Sequence, residues 1–262
     1  MFIDSHCHLD RLKLDDYDGN LDQLVAAAQQ AGVSKMLCVG VDLDNAAQCV
    51  ALADQYEQVV ASVGVHPLDC KEQVPDLNQL KPWLSHKKVV AIGETGLDYY
   101  YSADNKPIQQ QSFINHLELS KAHRLPVIIH TRDAREDTLQ LMKEHGCPEH
   151  TGVLHCFTES WEMARTALDM GYYISISGIV TFRNASALRE VVRQLPMDRL
   201  LIETDSPYLT PVPYRGQSNE PRFVAEVGRF IAELKELSVE ELAQQTSDNF
   251  YRLFSTARAA VS

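Results

Sequence analysis

Short runs rich in Val, Ile and Leu recur along the chain, and most are followed by a stretch whose apolar residues fall three or four positions apart. The runs predict strands at Phe2–His6, Lys35–Val39, Val59–Val63, Val89–Gly93, Val127–His130, Gly152–His155, Tyr172–Ser175 and Leu200–Glu203. Between them, Leu21-Leu24-Val25-Ala28, Phe113-Leu117-Ser120-Lys121 and Leu188-Val191-Val192 each offer one apolar face at helical spacing. Strands that are apolar nearly throughout are buried on both faces, and strands alternating with helices build parallel βαβ units. Eight such strands exceed the roughly six of an open nucleotide-binding sheet and predict an α/β fold of the single-domain (β/α)8, or TIM-barrel, kind. Extra C-terminal helices are expected at Pro221–Leu237 and Val239–Phe254, with Ser238 opening the second. The stretch Thr210–Glu220, carrying Pro211, Pro213, Gly216 and Ser218, reads as an ordered loop over one end of the fold. No repeat, low-complexity tract or long linker divides the chain, so residues 1–262 are expected to form one domain.

Composition narrows the function classes. With 45% hydrophobic and 23% charged residues over 262 positions, the chain is an ordinary globular sequence rather than a disordered one. Lys+Arg 24 against Asp+Glu 36 gives a net charge of −12, which disfavours coating of duplex DNA or of an anionic membrane. A phosphate-bearing ligand therefore needs local positive charge, and metal ions are the natural source. Six cysteines without a CxxC pair point to reduced thiols. The start Met1-Phe2-Ile3-Asp4-Ser5-His6 lacks the features of a signal peptide, and no apolar run reaches the ~18 residues of a membrane span. The expectation is a cytoplasmic protein with no membrane association and no obligate protein partner.

Candidate chemistry collects at one end of the predicted strands. His6 and His8 end the first, Glu94 follows the fourth, His130 ends the fifth, His155 ends the sixth and Asp205 follows the eighth. In a barrel the carboxyl ends of the strands surround one pocket, so these six residues would converge. The i, i+2 spacing of His6 and His8 puts both imidazoles on one side of an extended strand and turns Cys7 the other way. Singly, each residue has an ordinary use: a core histidine, a rim ion pair for Glu94, a turn cap for Asp205. Together, four imidazoles and two carboxylates without a thiolate suit one or two divalent cations such as Mg, Mn or Zn. Six ligands exceed the roughly three of a single catalytic zinc. Two cations sharing a carboxylate account for the surplus, and such pairs activate water for hydrolysis.

The stretches Phe2-Ile3-Asp4-Ser5-His6-Cys7-His8-Leu9-Asp10, Val63-Gly64-Val65-His66-Pro67, Ala91-Ile92-Gly93-Glu94-Thr95-Gly96-Leu97-Asp98-Tyr99, Pro126-Val127-Ile128-Ile129-His130-Thr131-Arg132-Asp133-Ala134, Gly152-Val153-Leu154-His155-Cys156-Phe157, Ile202-Glu203-Thr204-Asp205-Ser206-Pro207 and Arg215-Gly216-Gln217-Ser218-Asn219-Glu220-Pro221 span nearly the whole chain. As an ordered set they resemble the TatD family of metal-dependent hydrolases, YcfH-type members in particular, within the amidohydrolase superfamily. The resemblance implies a TIM barrel and the same six metal ligands. It further implies a deoxyribonuclease: a 3′ to 5′ exonuclease on single-stranded DNA, with RNA as a further substrate, that cleaves phosphodiester bonds.

On that reading His6, His8 and Asp205 hold one cation, His130 and His155 the other, and Glu94 both. Asp205 also takes the proton of the attacking water. His66, Arg132, Arg183 and Arg215 are expected to contact substrate phosphates, and Tyr99 and Phe182 to offer stacking surfaces for bases. Cys7 and Cys156 are expected to pack rather than react. The alternatives are a two-metal hydrolase of a small ester, lactone or amide and, more remotely, a non-catalytic metal-binding protein.

Overall fold

Every apolar run forms a strand. The computed structural model describes residues 1–259, with β1 at Phe2–Cys7, β2 at Val33–Val39, β3 at Val59–Val63, β4 at Val89–Asp98, β5 at Val127–Arg132, β6 at Gly152–Leu154, β7 at Tyr173–Ile176 and β8 at Leu200–Ile202. All pair in parallel, in chain order. The last strand meets the first: the Asp205 N–H donates to His6 O at 2.9 Å, and the His8 N–H donates to Ser206 O at 2.8 Å. Asp4 clamps the same seam, accepting from the Thr204 N–H at 2.9 Å and the Thr204 hydroxyl at 2.6 Å. The sheet is thus a barrel of eight strands, and the expected fold class holds.

Helices α1 (Leu21–Gln30), α2 (Ala46–Gln55), α3 (Lys106–His123), α4 (Arg135–His145), α5 (Trp161–Asp169) and α6 (Ser186–Gln194) lie in the connections between strands. Leu24, Val25 and Ala28 of α1 and Leu188, Val191 and Val192 of α6 are the buried faces that the spacing predicts. The link from β3 to β4 departs from the pattern: it holds only short 3-10 turns at Pro67–Asp69 and Leu77–Leu80. Pro67, Pro75 and Pro82 remove backbone donors there and deny a continuous helix.

After β8 come α7 (Val224–Leu234), α8 (Val239–Leu253) and a last short turn of helix, α9 (Thr256–Ala259). The seventh helix is shorter than Pro221–Leu237, because Pro221–Phe223 forms a 3-10 turn and Glu236 sits at φ +56. Ser238 and Glu241 form a capping box that starts α8.

Two apolar layers make the core. Met36, Cys38, Ala61, Ile129 and Ile174 face outward against the helices. Ile3, Val60, Val90, Ile128, Val153, Tyr173 and Leu201 fill the barrel toward its amino-terminal end, where Phe250 and Phe254 pack into them and close that mouth. Polar side chains follow toward the other end, beginning with Ser5 Oγ, 3.1 Å from Ser175 Oγ. Among the described residues no helix is long and apolar enough to cross a membrane.

Candidate metal centre

Above the serines, at the carboxyl ends of the strands, Glu94 is the hub of the polar layer. It is only 3% exposed. Its Oε1 lies 2.8 Å from His155 Nε2 and 3.3 Å from both His66 Nε2 and His130 Nδ1, and its Oε2 lies 3.3 Å from His6 Nε2. On the side of β1 and β8, Asp205 Oδ1 is 3.5 Å from His8 Nε2 and 3.7 Å from His6 Nε2. The six residues singled out from the sequence are brought together, and His66, expected as a substrate contact, stands among them.

Backbone geometry makes this packing possible. A Cβ at Gly96 would lie 2.0 Å from His130 O, so only glycine lets β4 run this close beside β5, and its φ of +136 demands glycine as well. Asp205 itself takes φ +56, a left-handed conformation that Asp tolerates better than most residues and that recurs at functional sites.

Partners on the far side of each ring decide which nitrogen faces inward. Val39 O accepts from His8 Nδ1 at 3.2 Å, Asp98 Oδ2 from His130 Nε2 at 3.0 Å, and Glu203 Oε1 from His155 Nδ1 at 3.3 Å. That leaves His8 Nε2, His130 Nδ1 and His155 Nε2 facing the acids. Burial alone would push the Glu94 carboxyl up, but His155, His66 and His130 override it and hold the group well below the usual carboxylate range. Asp205 is lowered likewise, with burial opposing and His8, His6 and His155 prevailing. His6 is pushed down by burial first and then by His155, whose ring stacks on it at 3.9 Å.

The donor set fits divalent cations. Both ring nitrogens of His6, and His155 Nε2, are buried without a hydrogen-bond partner, although carboxylate oxygens stand within ion-pair distance of the two Nε2 atoms. Each such orphan costs about 1–3 kcal/mol, and coordination would relieve it. His6, His8 and Asp205 have donor atoms within 4.8 Å of one another, as do His66, Glu94 and His130.

The expected contacts with substrate divide. A cleft of about 500 Å³ opens over Glu94, with Arg132 on its wall. Arg183 is exposed and does not line it. Arg215 is spent on its own loop: it donates to Thr210 O at 2.9 Å, and its guanidinium lies 4.0 Å over Phe182. Phe182 is therefore already covered. Tyr99 is also engaged, its hydroxyl donating to Asp137 at 2.6 Å and Lys106 lying over its ring. Cys7 is wholly buried and donates to Leu37 O, a packing role, while Cys156 Sγ lies against Ser177 Oγ beside the cleft.

Asp98 and Glu203, which hold the His130 and His155 rings from behind, were passed over by the sequence reading. The signal was there: Glu94 and Asp98 share a face of β4 by the two-residue period, and Glu203 and Asp205 repeat the spacing of His6 and His8.

A family model described as TatD related DNase matches residues 3–255. The chain belongs to the TatD family. Among TatD relatives, the uncharacterized metal-dependent hydrolase YcfH of Escherichia coli K12 is 49% identical over 252 residues, covering 96% of this chain and 95% of its own length. YabD of Bacillus subtilis, described in the same words, is 43% identical over 97% of this chain and 99% of its own. The crystal structure of YjjV, a TatD homolog from Escherichia coli K12, superposes with a TM-score of 0.90 at 35% identity, covering 97% of this chain and 98% of that one. This TatD chain is a metal-dependent hydrolase.

Proposed function

We propose that the protein is a deoxyribonuclease that removes nucleotides from the 3′ end of single-stranded DNA, and of RNA, by hydrolysis of the phosphodiester bond. The observation that carries this is the convergence of His8, Glu94, His130, His155 and Asp205 on one open cleft, with His6 buried beneath them at 3.3 Å from Glu94 and Glu94 only 2.8 Å from His155. The family's description as a DNase supports the substrate class.

His6, His8 and Asp205 would hold one divalent cation and His130 and His155 a second, with Glu94 between them and His66 within reach of the same oxygen. Bound there, the cations supply Lewis acidity toward a phosphate oxygen and lower the pKa of water. Asp205, kept ionised by His8 and His6, accepts the proton of the attacking water. Asp98 and Glu203 fix the rings of His130 and His155 from behind. The net charge of −12 is no obstacle, because two divalent cations bring a formal charge of about +4 to the site itself.

Turnover of 3′-labelled and 5′-labelled single strands with Mg, Mn or Zn tests the reading. The expected result is stepwise loss of 3′ nucleotides, reduced about 10²–10⁴-fold in Asp205→Ala and lost with Glu94→Ala. Hydrolysis of a small ester or lactone by a protein that cuts neither strand would overturn it.

A further inference from the structure

Large apolar side chains left in solvent are informative when they gather, and here they do. Among the described residues, the exposed ones are Met1, Leu68, Tyr100, Tyr101, Tyr208 and Val212. Apart from Met1, every one follows the carboxyl end of a strand: Leu68 after β3, Tyr100 and Tyr101 after β4, Tyr208 and Val212 after β8. A protein that merely tolerates solvated tyrosines would scatter them over its surface.

Leu68 lines the cleft over Glu94, and so do two of the tyrosines, Tyr101 at 67% exposure and Tyr208 at 51%. These tyrosines come from β4 and β8, four strands apart in a ring of eight, and so stand on opposite sides of the barrel mouth. Each has an arginine beside it that also lines the cleft. The Arg132 guanidinium lies 4.7 Å from the Tyr100 ring and 5.8 Å from the Tyr101 ring. Arg11, which faces Asp10 at 3.5 Å and Asp42 at 3.8 Å, shares the cleft wall with Tyr208.

Both rings stand on backbone tied to the site. Asp98, which orients His130, accepts from the Tyr100 N–H at 3.1 Å and the Tyr101 N–H at 2.9 Å through its other oxygen. The Tyr208 N–H donates to Asp205 O at 3.0 Å, and Asn219 holds the Tyr208 carbonyl. Platforms fixed in this way lose little freedom when a ligand arrives.

The geometry points to Tyr101 with Arg132, and Tyr208 with Arg11, as two base-stacking subsites facing each other across the cleft. This rests on the nucleic-acid reading above and deepens it: the substrate unit is a phosphodiester with a nucleobase on each side. An aromatic face gives affinity for any base without reading sequence, and the guanidinium beside it suits the neighbouring phosphate. The unstacked bases must be free to splay apart, so the ligand is a single strand and not a duplex.

Fluorescence anisotropy of a labelled oligothymidylate, against the same strand carrying abasic positions, tests the assignment. Full-length Glu94→Gln protein, with Asp205→Asn as a second background, keeps the strand uncut. The normal strand should bind about tenfold more tightly than the abasic one. Tyr101→Ala or Tyr208→Ala should each remove most of that preference, while Tyr101→Phe and Tyr208→Phe retain it. A strand preference that survives both alanine substitutions, or equal binding of the two strands before any substitution, would overturn the subsites. Base-dependent binding by a protein whose wild type cuts no strand would leave them standing and sink the nuclease reading instead.

Discussion

Asp98 shows how much one carboxylate in this site carries. One oxygen orients His130 at 3.0 Å, and the other accepts two backbone N–H groups that set the Tyr100–Tyr101 turn. Burial opposes its ionisation, yet His130 and the Tyr101 amide hold its pKa below the ordinary carboxylate value. Asp98→Asn keeps the shape of the side chain and removes the charge that fixes the ring. Divalent-cation affinity should fall about 10–100-fold while the thermal midpoint moves little, as read by metal titration and calorimetry. Unchanged cation affinity would show that His130 needs no such support. The residue escaped the sequence reading because the fourth strand was expected to end at Gly93, which left Asp98 outside the two-residue period that aligns it with Glu94.

Elements were legible to different depths. The eight strands could be read because both of their faces are buried, which leaves long apolar runs with little alternation. Their ends could not, since β4 continues to Asp98 only through pairing with β5, where Leu97 faces Thr131 and Asp98 faces Arg132. The missing helix between β3 and β4 is replaced by reach from a neighbour. From α3, the fully buried His116 accepts the Val65 N–H on Nε2 at 3.0 Å and donates from Nδ1 to Ser112 O at 2.7 Å, steadying the segment that carries His66.

Burial lowers His116 from its ordinary value to about 4. The folded state therefore resists protonation, whereas the unfolded chain takes up a proton near the ordinary histidine value of ~6.5. Stability is full above that pH and is lost as the pH falls toward 4, by roughly 3 kcal/mol for this group. Denaturation midpoints measured across that window should flatten in His116→Gln, and an unchanged slope would mean that other groups dominate the acid side.

The molecule as a whole is polarised from end to end. Phe250 and Phe254 seal the amino-terminal mouth against Ile3, Val90 and Leu201, and the polar layer with its cleft occupies the other. Phe254→Ala empties a fully buried position and should cost about 3–5 kcal/mol in denaturant unfolding, with the polar layer untouched in the molecules that remain folded. A loss below about 1 kcal/mol would show that the seal does not depend on this ring. The convergence of the six polar residues was legible because the barrel topology gathers strand ends. The walls above them were not, because the loops that aim Tyr101 and Tyr208 follow no period.

That plugged floor governs traffic. With that end filled by Phe250 and Phe254, product leaves by the cleft through which substrate enters. On the proposed nuclease reading, each released fragment would have to clear the threshold before the polymer could advance, so turnover would run as a queue and not as flow through a pipe.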